Sequence, residues 1–208
     1  MKMSRMIQNR ELKHCLGDII DLAIKVGGYI FKSAEKKKQL RYKGEVDIVT
    51  QFDKKSQDMI VAELAKKYPR YGILSEEGIR CNADALLKWI IDPLDGTTNF
   101  AHGLPIWTIS IALEVEGDIL LGVVYDPTRQ EMFFAIKGNG AFRDQKRIKV
   151  SGVRKLDRAL LVTGFPYDIR TSSENNLSHF ADFAVRAQAV RRLGSAALDL
   201  CYTACGRF

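Results

Sequence analysis

Three short apolar segments of this chain run straight into carboxylates, and that repeated junction constrains the fold more than any other feature. Trp89-Ile90-Ile91 ends at Asp92-Pro93-Leu94-Asp95, Ile73-Leu74 leads into Glu76-Glu77, and Ile48-Val49 leads into Asp53. Short apolar runs bounded by turn residues read as buried strands. In layered α/β folds, ligands gather at the ends of such strands. Asp, Pro and Gly are also ordinary turn formers, so Asp92-Pro-Leu-Asp-Gly96 taken alone reads as a turn. Together with Glu76-Glu77 and Asp53 it reads as a site. Pro93 fixes φ and lacks an N–H, and Gly96 permits a tight turn, so Asp92 and Asp95 can be aimed into one small volume. Two carboxylates so placed repel each other and titrate upward. A hard divalent cation removes that repulsion, and Mg²⁺ takes carboxylates together with substrate phosphate. Gly96-Thr97-Thr98 then supplies successive N–H groups, an anion cradle if a helix begins there.

The remaining pattern supplies the layers. Leu12, Leu16, Ile19, Ile20, Ala23, Val26 and Ile30 recur at helical spacing, which predicts one amphipathic helix over 10–36. Thr50-x-x-Asp53 has the form of a capping box opening a second helix. Its apolar stripe is Met59, Ile60, Leu64 and Tyr68, and it ends before Pro69. From 106 the period changes to two. Strands are predicted at 106–115, 119–125 and 132–136, with a fourth at 147–150, forming an antiparallel meander. A strand at 160–163, a helix at 174–188, a strand at 189–190 and a helix at 195–205 follow. Helices, a β block, then α/β alternation predict a layered α/β (α+β) fold with a boundary near 150–158. An N-terminal α+β unit at 1–152 would carry the site, and 153–208 would begin a second α/β unit.

Composition narrows the class. Of 208 residues 46% are hydrophobic and 27% charged, the balance of a globular protein rather than a disordered one. Apolar runs such as 106–113 fall far short of the ~20 residues a bilayer needs. Residues 1–10 lack the apolar stretch of a secretion signal, so export is not expected. The net charge of +7 suits nucleic acid, an anionic membrane or phosphorylated small molecules without choosing among them. Lys36-Lys37-Lys38 reads as a solvated helix end rather than a nucleic-acid patch, because no aromatic residues interleave with it. Cys15, Cys81, Cys201 and Cys205 form no C-x-x-C pair, which argues against zinc and fits a reducing cytoplasm. Cys201 and Cys205 read as small buried apolar side chains. His14 reads as exposed, His102 as structural, and Trp89 and Trp107 as core or wall residues. Asp199, inside a helix, reads as structural.

The wording of the acidic segments is specific. Trp89-Ile-Ile-Asp-Pro-Leu-Asp-Gly-Thr-Thr-Asn-Phe100 resembles the signature of the inositol monophosphatase family. Asp47-Ile-Val-Thr-Gln-Phe-Asp53 is similar to that family's D-x-V-T-x-x-D segment, and Leu74-Ser-Glu-Glu-Gly78 to its G/S-E-E segment. Gly122-Val-Val-Tyr-Asp-Pro and Lys137-Gly-Asn-Gly-Ala-Phe142 resemble its middle hairpins, and Arg191-Arg-Leu-Gly-Ser-Ala-Ala-Leu-Asp-Leu200 the start of its second half. The resemblance runs from the first helix to the last residue. It implies the alternating helix and sheet layers of the inositol monophosphatase and fructose-1,6-bisphosphatase type.

It also implies roles. Glu76 and Asp92, with the Leu94 carbonyl, would bind a first Mg²⁺. Asp92 and Asp95 would bind a second metal, and Glu76 is a candidate ligand of a third. Asp53 and Thr97 would position the attacking water, and the Gly96 and Thr97 amides would hold the phosphate. Gly194, Ser195 and Ala196 would line the substrate pocket, and Glu77 stands outside the ligand set. The family carries a further W-D motif whose Asp completes the second metal site, together with an acidic residue for substrate hydroxyls. Neither is found before Phe208, so the second metal site is expected to be incomplete. The implied activity is Mg²⁺-dependent, Li⁺-sensitive hydrolysis of myo-inositol 1-phosphate or a related polyol or sugar phosphate. Relatives with the same signature act on fructose 1,6-bisphosphate, 3′-phosphoadenosine 5′-phosphate or histidinol phosphate. A cytoplasmic homodimer acting on a small phosphomonoester, without a membrane partner, is expected. The alternative is a binding role toward RNA or RNA polymerase, as in some bacterial members.

Overall fold

A computed structural model describes residues 9–34, 40–42 and 48–208. Lys36-Lys37-Lys38, Asp47 and the end of the first predicted helix lie outside the described residues. The elements run α1 (Asn9–Ser33), β1 (Leu40–Tyr42), β2 (Ile48–Thr50), α2 (Gln51–Lys67), β3 (Gly72–Ser75), β4 (Arg80–Cys81) and β5 (Leu87–Asp95). They continue with α3 (Thr97–Ala101), β6 (Thr108–Val115), β7 (Asp118–Asp126), β8 (Glu131–Ile136), β9 (Gly140–Arg143) and β10 (Lys146–Arg147). The chain closes with β11 (Leu160–Val162), α4 (Leu177–Arg186), β12 (Ala189–Arg191) and α5 (Ala196–Ala204).

One mixed sheet of eight strands, in the order β10-β9-β8-β7-β6-β5-β3-β4, organises the molecule. All its pairings are antiparallel except β3 with β5. Side chains alternate across it, and each face has its own cover. Val123 joins the core beneath α1, while its neighbour Val124 joins a smaller cluster around Leu198 and Tyr202 of α5. Helix α1 buries Leu12, Cys15, Ile19, Leu22, Ala23, Val26 and Ile30; of the predicted stripe Leu16 and Ile20 are only partly buried, and Cys15 and Leu22 face the core instead. Each fully buried Ile or Leu contributes on the order of 2 kcal/mol. Helix α1 lies close on the sheet at Gly27, where a Cβ would stand 2.7 Å from Pro127.

Local rules place the ends. Thr50 caps α2 through the Phe52 N–H, and Asp53 returns the bond to the Thr50 N–H, completing the capping box. The fourth strand departs from expectation. It starts at Gly140, because Gly138 and Gly140 take φ of +82° and +90° and turn the chain straight back along β8. Arg147 pairs with Phe142, and Ile148 to Val150 lie outside the sheet. Beyond, β11 and β12 form a separate parallel pair joined through α4. Cys15 is buried, Cys81 exposed, and Cys201 and Cys205 only half-buried.

Candidate active site

The parallel pairing of β3 and β5 is what makes the site. Ser75 lies beside Ile91, and the Glu76 N–H donates to the Ile91 carbonyl at 3.0 Å. The parallel pairing ends at Ser75 and Ile91, so Glu76 and Asp92 follow it side by side. Beyond Asp92 the pairing with β6 is interrupted until Asp95. Pro93, with no N–H to give a ladder, sits in that interruption. Its carbonyl accepts from the buried Ser56 hydroxyl of α2 at 2.7 Å, and the Leu94 N–H donates to Asp92 Oδ1 at 3.1 Å. Burial pushes the Asp92 carboxyl up to about 9, helped by the charges of Glu76 and Asp95 and by a hydrogen bond with Glu76.

Two glycines close the turn. Gly96 has φ of +93°, and a Cβ there would stand 2.8 Å from the Ile106 carbonyl. Gly194 has φ of +86°, and a Cβ there would meet the Asn99 amide at 2.9 Å. Buried Asn99 donates to the Ile106 and Leu193 carbonyls at 2.9 and 2.7 Å, tying α3 to the segment that enters α5. No side chain caps α3.

The Thr97 hydroxyl lies 2.7 Å from Asp53 Oδ1 and 2.9 Å from the Leu94 carbonyl. Asp53 is 1% exposed, and its other oxygen accepts from the Thr50 N–H at 2.7 Å and from the Thr50 hydroxyl. Burial raises its titration, and the bonds from Thr50 and Thr97 oppose that. Asp95 reaches across to α5, accepting from the Ser195 hydroxyl at 2.6 Å and from the Ala197 and Ala196 N–H groups at 2.8 and 3.2 Å.

These groups open on one cavity of about 520 Å³. Glu76, Asp92, Leu94, Asp95, Gly96 and Thr97 form one wall, and Gly194, Ser195 and Ala196 form another. Of the residues to which the resemblance gave roles, only Asp53 does not line it; Glu77 and Thr98 of the same segments stay outside it as well. Asp53 stands behind Thr97. Trp89 and Trp107 are core residues and His102 is exposed. Sequence reasoning missed Thr163, Gly164, Phe165, Tyr167 and Arg192, and it read Asp199 as structural. Asp199 is a cavity residue rather than a purely structural one. Burial and Asp95 push its carboxyl up to about 6, against Arg192. Its spacing of three and four residues from Ala196 and Ser195 on one helix was the available signal.

The donor set suits a hard cation: two carboxylates from adjacent strand ends and a nearby carbonyl. Among the described residues no three Asp, Glu, His or Cys side chains enclose a metal position. The reason is visible in the contacts. Asp95 is turned to α5, where it accepts from Ser195, Ala196 and Ala197.

A model of the inositol monophosphatase family matches residues 12–208. The Mesorhizobium japonicum protein named inositol-1-monophosphatase is 45% identical over 170 residues, which are 81% of this chain and 64% of that protein. The chain therefore spans less than two thirds of that relative's length. The Pasteurella multocida protein named Nus factor SuhB is 43% identical over 198 residues, 90% of this chain and 72% of its own. Among solved structures, an extragenic suppressor protein SuhB from Bartonella henselae matches with a TM-score of 0.87 at 37% identity, covering 93% of this chain and 76% of its own. An inositol monophosphatase from Thermotoga maritima matches with a TM-score of 0.85 at 37% identity, covering 93% and 74%. Among the described residues no helix is long and apolar enough to cross a membrane.

Proposed function

This chain belongs to the inositol monophosphatase family, and on that premise we propose that it is a Mg²⁺-dependent phosphomonoesterase acting on myo-inositol 1-phosphate or a related polyol or sugar phosphate. The observation that carries the reading is the convergence of Glu76, Asp92 and Thr97 on one cavity, with Asp53 behind Thr97. Glu76, Asp92 and the Leu94 carbonyl would hold one ion, and Asp92 with Asp95 a second. When bound, Mg²⁺ acidifies water and neutralises phosphoryl charge. The chain's own part is positional. Thr97 donates its proton to Asp53, which leaves its oxygen lone pairs to accept from a water in the cavity. Asp53 is held against rotation by Thr50 and so fixes the direction of the Thr97 hydroxyl. The Gly96 and Thr97 amides take the phosphate, and Gly194, Ser195 and Ala196 hold the leaving alcohol. The proposal extends to a cytoplasmic homodimer and to a second structural unit beginning at residue 153.

Calorimetric titration with Mg²⁺ tests the metal assignment. The wild-type chain should bind Mg²⁺ and release a proton from Asp92, whose carboxyl is pushed up to about 9, and Asp92→Asn should abolish both. Equal binding by the two proteins would remove Asp92 from the ion's ligands.

A second reading, contact with RNA or a transcription complex, draws on the likeness to a protein named Nus factor SuhB and on the +7 charge. Binding to RNA or polymerase that survives Asp92→Asn while hydrolysis is lost would assign the chain both roles.

A further inference from the structure

Helix α2 touches the acidic turn twice. Asp53 accepts from the Thr97 hydroxyl at 2.7 Å, and Ser56 donates to the Pro93 carbonyl at 2.7 Å. The two residues are three apart and share the buried face of the helix. The proposed mechanism uses the first contact and has no part for the second. Ser56 is fully buried, and its one hydroxyl proton goes to a backbone oxygen 37 residues away.

What Ser56 holds is a single peptide unit. The register of β5 with β6 skips Pro93 and Leu94, so no partner residue on β6 fixes the peptide between them. That peptide is planar and trans, so its C=O and its N–H point in opposite directions. Ser56 holds the carbonyl toward α2. On the other side of the same plane, the Leu94 N–H donates to Asp92 Oδ1 at 3.1 Å. Rotation of the peptide would break both bonds together. Ser56 therefore restrains Asp92 through a rigid plane, and the lone pairs that Leu94 does not use are left for an ion. The next peptide carries the Leu94 carbonyl, the other proposed ligand on this turn, 2.9 Å from the Thr97 hydroxyl.

We infer that Ser56 is a positioning residue for the metal site: its hydrogen bond fixes the 93–94 peptide, and with it the Asp92 carboxylate and the Leu94 carbonyl that would hold the ion. This inference rests on the phosphatase reading above and on its assignment of Asp92 to the ion. Without the hydroxyl, a buried carbonyl loses its donor and the peptide is free to turn.

Calorimetric titration with Mg²⁺, with no substrate present, tests it on the wild-type chain, Ser56→Ala, Ser56→Cys and Ile60→Val. Ile60 is fully buried one helical turn further along the same face, and its truncation loosens the packing of α2 while removing no hydrogen bond. Losing a group that orients a metal ligand typically costs about 10- to 100-fold in affinity, so Ser56→Ala should weaken Mg²⁺ binding about tenfold or more, with Ile60→Val unchanged. Ser56→Cys, similar in shape with a weaker donor, should fall between. Equal weakening in Ile60→Val overturns the inference, because the site would then follow the packing of α2 in general. If Ser56→Ala does not fold, Ser56→Cys decides, and affinity equal to wild type overturns the inference. Wild-type protein that binds no Mg²⁺ overturns the phosphatase reading and this inference with it. Wild-type binding that Ser56→Ala leaves intact overturns the inference alone.

Discussion

Thr97 has one hydroxyl proton and two acceptors within reach, Asp53 and the Leu94 carbonyl. The Asp53 bond is charge-assisted and the shorter of the two, so it takes the proton and sets where the oxygen points. The Thr97–Asp53 bond spans 44 residues, so no local spacing could have revealed it. The sequence did show the two halves separately, a capping box and a signature turn. The family resemblance set Asp53 and Thr97 on the same water, but neither it nor local spacing showed that the carboxylate closing the cap accepts directly from the hydroxyl of the turn. Thr97→Ala should therefore leave the fold intact and lower kcat about 10²-fold, the usual scale for losing a positioned group. Thr97→Ser, which keeps the hydroxyl, should retain most of the rate. Steady-state kinetics on the two variants checks this, and equal rates would reduce Thr97 to a turn residue.

Among the elements, α1, α2 and the meander of β6 to β8 were legible because their periods are long and unbroken. The shorter pieces were less so. Strand β5 reaches from Leu87 to Asp95, well beyond the apolar triplet that announced it, because β6 pairs with Leu87 and Lys88 at one end and with Asp92 and Asp95 at the other. Helix α5 was legible from Ser195 onward, but not how it is anchored. Arg207, just past it, stacks on Tyr202 at 4.2 Å and makes a two-pronged ion pair with Glu131 of β8. The Arg207 hydrogen bond holds the Glu131 carboxyl below the usual carboxylate range, against burial. A lowered carboxylate contributes stability above its unfolded-state pKa, near 4.3, and loses it as pH falls through the folded-state value. Glu131→Gln should therefore cost about 1 kcal/mol at pH 7, a modest figure because the pair is partly solvated. Urea unfolding at several pH values should show that gap closing as pH falls below the unfolded-state value. A gap that widened on acidification would mean that the anchor is apolar rather than ionic.

At the scale of the whole molecule, the sheet separates two jobs. One face and α1 with α2 make the large core, while the other face receives α5. The site sits where the strand ends of the first part meet the N-terminus of α5, joined by Asp95, Asn99 and the two apposed glycines. The wall supplied by β3 and β5 was legible because its residues are close in sequence and chemically unusual. The wall supplied by residues 163–167, Arg192 and Asp199 was not, since its members look ordinary until the fold brings them opposite the acidic turn.

The central proposal is that Glu76, Asp92 and Thr97, which line one cavity, serve the hydrolysis of a phosphomonoester with the help of a hard cation. The most direct test is the initial rate of phosphate release from myo-inositol 1-phosphate as Mg²⁺ is varied, for the wild-type chain and Asp92→Asn. The account predicts no release in the presence of a chelator, a rate that rises to saturation with Mg²⁺, and near-complete loss in Asp92→Asn. Release that persists in chelator, or an Asp92→Asn rate close to wild type, would contradict it.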